Sequence, residues 1–514
     1  MKETLLTALP IWLSTVFFMS DSFNAFESAA EPAAMPAFKA GFAERDVTPA
    51  IGMEVPGNYV KIFHKKLHDP CKVRAAVFDD GQLRVALVGV DALIVPRQIV
   101  EAARNDIQRQ CGIAGTAVLI GASHSHSSGP TGMVQPGQYD HAPDFVRSLA
   151  YEHSSCADAG YLDRVRREIV AAVCLANSNA APARCGAGTG KEDKVAFNRR
   201  FHMKNGLTFT HPGKGNSDIE VVAGPTDPTV GVLGAWDKDG KLLGCVVNFA
   251  CHATTSPDGI SANWIYDLER VIRGTFGPQT TVVFLQGDCG DVTHVDNLTS
   301  AAERPGDSSS RFVGGRVGAE AVKVLLSMQP GDLGPLAVRS KMLRLKHRIP
   351  EPERVRQCTE LARKSPPPKE QTGWVFAKEI VLLSALLERE PVAEVEIQAI
   401  QVGPAVFLAN PGETFCQFGL ELRARSPFPF TFPVELANGC VGYIPTEEAL
   451  GEHGGGYETR LTSYSNLEPA AGQLMTQAAL EMASQLKPGT VPTPPQAPRF
   501  KAPWSYGNVP PEVK

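Results

Sequence analysis

The chain has 514 residues, 43% of them hydrophobic and 20% charged, with a formal net charge of -5. Those values are ordinary for a globular protein and allow a large buried core. Lys and Arg are scattered, with no basic tract interleaved with aromatics, so neither the overall field nor any segment suits nucleic-acid binding.

Met1-Lys2-Glu3 is followed by the apolar run LLTALPIWLSTVFFM (5–19) and then by small and polar residues as far as Ala30. That order predicts an export signal over 1–30, and the run is short for a spanning helix, which needs about 20 apolar residues. A periplasmic or secreted protein is expected, or one anchored by an uncleaved segment. AGFAERDVTPAIG reads as a strand entering a Pro/Gly turn, and RVALVGVDALIV (84–95) as a buried strand. VEAARNDIQRQC (100–111) has helical spacing, TAVLIGAS (116–123) is a strand, and YLDRVRREIVAAVCLAN (161–177) is an amphipathic helix. KLLGCVVNFAC (241–251), TTVVFLQG (280–287) and VAEVEIQAIQVGPAVFLAN (392–410) read as further strands. Residues 311–328 and 470–486 read as helices, and 350–390 as a Pro-interrupted helical pair. This pattern predicts an α/β fold, with mixed β-sheets flanked by helices, in one large domain over 38–487. Beyond Pro488 the composition predicts a Pro-rich extended tail, 488–514. The eleven cysteines form no C-x-x-C pair and read mostly as buried free thiols.

Strands of α/β sheets deliver functional side chains at their carboxyl ends. Four strand-like runs here end that way, at His124-Ser125-His126, at His252, at Asp288-Cys289-Gly290-Asp291 and at Pro411-Gly412-Glu413. In extended chain the two imidazoles of His-x-His share a face and both approach one ion. A solvated loop, or a histidine bonded to backbone, also accounts for such a pair. His252 alone reads equally as a core histidine. Glu413, placed at the start of the helix ETFCQFGLELRAR, reads equally as a partner of the helix dipole.

Together the stretches resemble one family. GASHSHSSGPTG (121–132) resembles the T-H-T-H-S-G-P-x-G signature of the neutral/alkaline ceramidases, which cleave the amide bond of ceramide. DVTPAIG (46–52), LHDPCKVRAAVFDDG (67–81), NFACHATT (248–255), FLQGDCGDVT (284–293), NPGETF (410–415) and GYIPTEEAL (442–450) are similar to further family segments, in the same order. The resemblance covers roughly 38–486. It implies a zinc ion held by His124, His252, Glu413 and Tyr443. It also implies His126 as a neighbouring acid/base group and Arg199 lining the site. Asp291 is a second candidate proton carrier, and Thr293 stands at the position of the family's catalytic serine. A zinc-activated water would attack the amide. The implied partner is a lipid-like amide such as ceramide, with transient contact with a membrane surface and no obligate protein partner.

The chain also departs from the family. Gly290-Asp291-Val292-Thr293-His294-Val295 replaces G-D-V-S-P-N, and Asn263 stands where many relatives carry Asp. No counterpart of the family's immunoglobulin-like C-terminal domain is expected within these residues. A zinc hydrolase of a different ester or amide, or a non-catalytic exported binding protein, remains the alternative.

Overall fold

Largely continuous apolar runs, buried on both faces, become the strands at the centre of three main sheets. The computed structural model describes residues 38–364, 372–497, 506 and 510–514, all within one unit, Ala37–Lys514. The expected export signal lies outside the described residues. In the first sheet, Lys39–Asp46, Lys72–Asp79 and Arg84–Val90 are antiparallel neighbours, and Val118–Ala122 adds parallel to Arg84–Val90. In the second, Arg184–Lys191, Thr229–Trp236 and Leu242–Phe249 run antiparallel, and Thr281–Gln286 lies parallel to Leu242–Phe249. In the third, Leu336–Lys346, Val392–Val402 and Ala405–Ala409 are antiparallel, with Phe430–Val434 parallel to Ala405–Ala409. Each sheet therefore carries one parallel pair.

The two faces of these strands enter different cores, as a period of two demands. From Thr281–Gln286, Val283 and Leu285 enter a central core shared with the first and third sheets, while Val282 and Phe284 face an outer core. Phe407 and Ala409 join the central core, whereas Val406 and Leu408 turn to a third cluster. Outer faces are closed by helices, with Arg97–Cys111 and Ala159–Ser178 on the first sheet. Trp264–Phe276 and Gly306–Ser327 cover the second, and Cys416–Arg425 with Ala471–Ser484 the third. The Pro-interrupted pair is Pro352–Ala362 and Thr372–Leu387.

Most expected elements are observed, and three differ in detail. Glu413 does not open a helix. Glu413–Thr414 pairs in parallel with Tyr443–Ile444, with Glu413 N–H donating to Gly442 O at 2.8 Å, and the helix starts at Cys416. The His-x-His pair is not extended chain either. The strand ends at Ala122, and Ser123 and Ser125 donate to Val90 and Ala92 of the first sheet, which turns His124 to φ 61°. Third, the tail begins tethered, since Gly489 N–H donates to Gly403 O at 3.0 Å, although residues 488–497 form neither helix nor strand. All eleven cysteines are free.

Gly89 and Gly121 are side by side on adjacent parallel strands, with Gly89 against the backbone of Phe284 and Gly121 against the Leu285 side chain. A Cβ at Gly89 would stand 2.3 Å from Phe284 O. Backbone cannot rotate away, so Gly89→Ala is expected to lower stability by about 1–3 kcal/mol, read as a shift of the urea midpoint.

Candidate metal centre

Each main sheet delivers one acceptor to the same point. His124 follows the parallel strand of the first sheet, His252 follows Leu242–Phe249 of the second, and Glu413 follows Ala405–Ala409 of the third. All three side chains are 2% exposed or less. Glu413 Oε2 lies 3.2 Å from His124 Nε2 and 3.2 Å from His252 Nε2. His126 Nε2 is 3.3 Å from His124 Nε2, the two rings being perpendicular, and it is the one member of the cluster that is only half-buried.

The protons of two imidazoles can be assigned from their partners. His124 Nδ1 meets Leu93 O at 3.1 Å, and His252 Nδ1 meets Cys289 O at 2.8 Å. A carbonyl only accepts, so both Nδ1 atoms carry the proton, and in the neutral ring each Nε2 is a lone pair. Burial, aided by the Arg199 charge, holds the His252 pKa at about 4, and burial with the neighbouring histidines holds His126 well below its usual range. His252 Nε2 and Glu413 Oε2 have no hydrogen-bond partner although both are buried. Lone pairs on His124, His252 and Glu413 therefore face one another where only a cation, or a proton, satisfies them. Burial raises the Glu413 carboxyl, but positive charge on the two imidazoles, whenever they carry a second proton, outweighs it and holds the pKa well below the carboxylate range. The nitrogen atoms of His124, His126 and His252 also lie close enough together to hold one ion. Imidazole with one carboxylate suits zinc better than a hard cation, so the residues present fit the expected metal.

Tyr443 is held beside this cluster. Its Cα pairs with that of Glu413, and burial pushes its phenol pKa well above 10. Its hydroxyl accepts from Arg199 Nη2 at 3.2 Å. Arg199 also donates from Nη2 to Gly290 O at 2.7 Å and from Nε to Glu458 Oε1 at 2.5 Å. Asp291 has both carboxylate oxygens engaged, by Cys416 N–H at 2.8 Å and Asn198 Nδ2 at 2.7 Å. Thr293, paired with Phe197, accepts from Val295 N–H at 3.3 Å, so its hydroxyl proton remains to donate. Asn263 caps the helix Trp264–Phe276 and accepts from Thr255 N–H.

Three functional neighbours were not among the expected residues. Tyr464 donates its hydroxyl to Glu413 Oε1 at 2.6 Å. Glu458, fully buried, holds Arg199 and accepts from Thr210 Oγ1. Glu435 accepts from Cys289 N–H and Thr414 N–H, tying the His252-bearing layer to the Glu413 strand. Glu435 directly follows the strand Phe430–Val434, so the strand-end rule that picks out Glu413 also applies to it. Tyr464 sits in irregular chain and Glu458 in the short 3-10 helix Tyr457–Thr459, and neither carries such a signal.

Two solved structures share this architecture. A ceramidase complexed with C2 superposes with a TM-score of 0.65 at 19% identity, covering 90% of this chain and 77% of that one. The neutral ceramidase from Pseudomonas aeruginosa gives 0.63, again at 19% identity, over 90% and 76%. The fold is that of the ceramidases. No protein-family model matches the chain, and no curated protein matches it. The ceramidase fold thus extends over nine-tenths of a chain whose sequence has diverged from the solved examples at four positions in five.

A buried carboxyl beside the centre gives a pH signature. Burial raises Asp288 to about 7, although Asn410 Nδ2 donates to it. The folded form therefore holds a proton that the unfolded chain, with a pKa near 3.8, has released, and stability falls as pH rises from about 4 through 7. Asp288→Asn is expected to flatten that decline relative to the parent and to be the more stable of the two at pH 8, read from urea midpoints at pH 5 and pH 8.

Proposed function

We propose that the protein is a zinc-dependent amide hydrolase acting on ceramide or another N-acyl lipid. The observation that carries the metal is the meeting of three buried lone-pair atoms, from His124, His252 and Glu413, with no proton assigned between them. The likeness to ceramidase structures supports the substrate class. Export from the cytoplasm rests on the sequence of residues 1–30 alone.

His124, His252 and Glu413 would hold the ion, with the Tyr443 phenol as a fourth, weaker donor. A zinc ion held there would supply an acidified water and polarise the amide carbonyl. His126, neutral and facing the opening, accepts a proton from the attacking water and returns it to the departing nitrogen, which leaves poorly unless protonated. Arg199, fixed by Glu458 and Gly290 O, presents its guanidinium next to the Tyr443 hydroxyl, where charge develops on the carbonyl oxygen. Thr293 offers one hydroxyl donor to the same region. Asp291, with both oxygens engaged, positions the Asn198–Arg199 turn instead of carrying the proton.

One observation favours a more polar amide as the substrate. A cleft of about 660 Å³ adjoins the site at Pro411, Gly442 and Tyr464, and Arg344, His347, Arg389 and Glu390 are among the residues of its wall. His347 Nε2 there is buried without a partner. A ceramide headgroup is small for such a wall, and an N-acyl compound with a larger polar head fits it better.

The decisive assay is fatty-acid release from a short-chain ceramide by zinc-loaded protein, with a chelator control. Chelator-sensitive release supports the ceramidase reading, and zinc binding without release moves the substrate to other N-acyl compounds. His124→Ala and His252→Ala are each expected to abolish both zinc content and hydrolysis while the far-ultraviolet circular dichroism stays unchanged. Full zinc occupancy in either variant would refute the ligand set. Tyr464→Phe removes the donor that orients Glu413 and is expected to weaken zinc about 10–100-fold, measured by competition with a chromophoric chelator.

A further inference from the structure

We infer that the loop spanning residues 51–67 docks the protein on a phospholipid bilayer with anionic headgroups, and that this loop is the rim of the candidate site. The inference rests on the lipid reading above for its purpose, but its evidence is separate.

The loop folds back on itself. Val55 N–H donates to Ile62 O at 2.8 Å, His64 N–H to Met53 O at 2.9 Å and Gly52 N–H to His64 O at 2.9 Å, with Glu54 opposite Phe63. Its inner side is pinned. His64 is buried and its Nε2 donates to Ser128 O at 2.8 Å, and Lys378 Nζ donates to Tyr59 O at 2.8 Å. At the turn, Gly57 lies directly against His126, where an added Cβ would stand 2.5 Å from Nδ1. The loop is therefore a rigid wall of the opening through which His126 is reached.

Its outer side is apolar and open. Ile51, Val60, Ile62, Phe63 and Leu67 are 44–62% exposed, the densest run of exposed large hydrophobics along the described chain. Single exposed apolar residues need no explanation, but a contiguous set rimmed by charge marks an interaction surface. Lys61, Lys65 and Lys66 are interleaved with them. Glu54 holds Lys61, and Lys66 meets Asp258, a pair in which both side chains are exposed and water competes. Lys65 pairs with no carboxylate among the described residues, leaving a net positive rim. Long Lys stems lie along apolar surface while their ammonium groups reach phosphate level, so this alternation suits a headgroup layer. A second copy of the chain suits it less, since a two-fold contact would bring two like-charged rims together.

The test uses the full chain and vesicles of phosphatidylcholine with phosphatidylserine. Phe63→Asp is expected to weaken vesicle binding by about tenfold or more, from the burial of one aromatic side chain. Lys65→Gln should weaken it about fivefold, and only when phosphatidylserine is present. Because residues 5–19 are themselves apolar, a local probe is added. In Phe63→Trp, brominated phospholipid should quench an emission component absent from the parent. Binding unchanged in Phe63→Asp, or no added quenching in Phe63→Trp, overturns the inference. So does a concentration-dependent dimer that Phe63→Asp dissociates while vesicle binding persists. Docking and catalysis fail separately. Phe63→Asp should keep hydrolysis of a soluble short-chain substrate while losing that of a vesicle-embedded one. Vesicle binding without hydrolysis of either substrate would leave the docking surface standing and the hydrolase reading overturned.

Discussion

Three buried acceptor atoms meet within about one hydrogen-bond length, and each comes from a different sheet. Left to themselves, the Nε2 atoms of His124 and His252 and the Oε2 of Glu413 repel. A fold that brings them together spends stability that a bound cation would return. Much of the surrounding structure keeps that arrangement from relaxing. Backbone carbonyls of Leu93 and Cys289 fix the two imidazoles, Tyr464 fixes the carboxylate, and Glu435 ties together the loop and the strand that bring them close. Gly89, which has no side chain to hold off the Phe284 backbone, lets the first two sheets approach closely beneath the strands that lead to His124 and His252.

A second tier of buried charge serves the same end. Arg199 is fully buried and would be costly alone, but Glu458, Gly290 O and the Tyr443 hydroxyl satisfy it in a single geometry. Removing any one of them leaves a charge or a lone pair without a partner. This tier therefore defines the direction from which the guanidinium approaches Tyr443. Asp291 works one step further out, gripping Asn198 and the start of the helix Cys416–Arg425.

Elements whose polarity pattern is local are legible in the sequence. Parallel strands such as Val118–Ala122 and Thr281–Gln286 are continuous apolar runs, and the residues just beyond such strands land where the sheets converge, so His124, His252 and Glu413 can be named together. The strand Arg184–Lys191 is not legible, because RCGAGTGK has little apolar content. Its glycines at 186, 188 and 190 lie under Met328, Val324 and Glu320, which shows that the strand is shaped by the helix crossing it. Glu413 reads as a helix start because the residues that decide otherwise, Gly442 to Ile444, lie far along the chain. The φ of His124 is equally out of reach, being imposed by the edge of a neighbouring strand. Tyr464, in irregular chain, and Glu458, in the single 3-10 turn Tyr457–Thr459, belong to segments whose positions depend on tertiary contacts.

The origin of the three acceptors in three sheets also bears on how the site is made. His124 and His252 leave the ribosome well before Glu413, and the sheet that carries Glu413 is completed only by the strand Phe430–Val434. A growing or truncated chain has two imidazoles and no carboxylate, held by sheets that lack their third neighbour. Capture of a metal ion there would therefore be coupled to the final docking of layers. Incompletely folded chains would then be distinguished from finished ones by their inability to retain an ion, and metal content would be a quality mark of the finished fold.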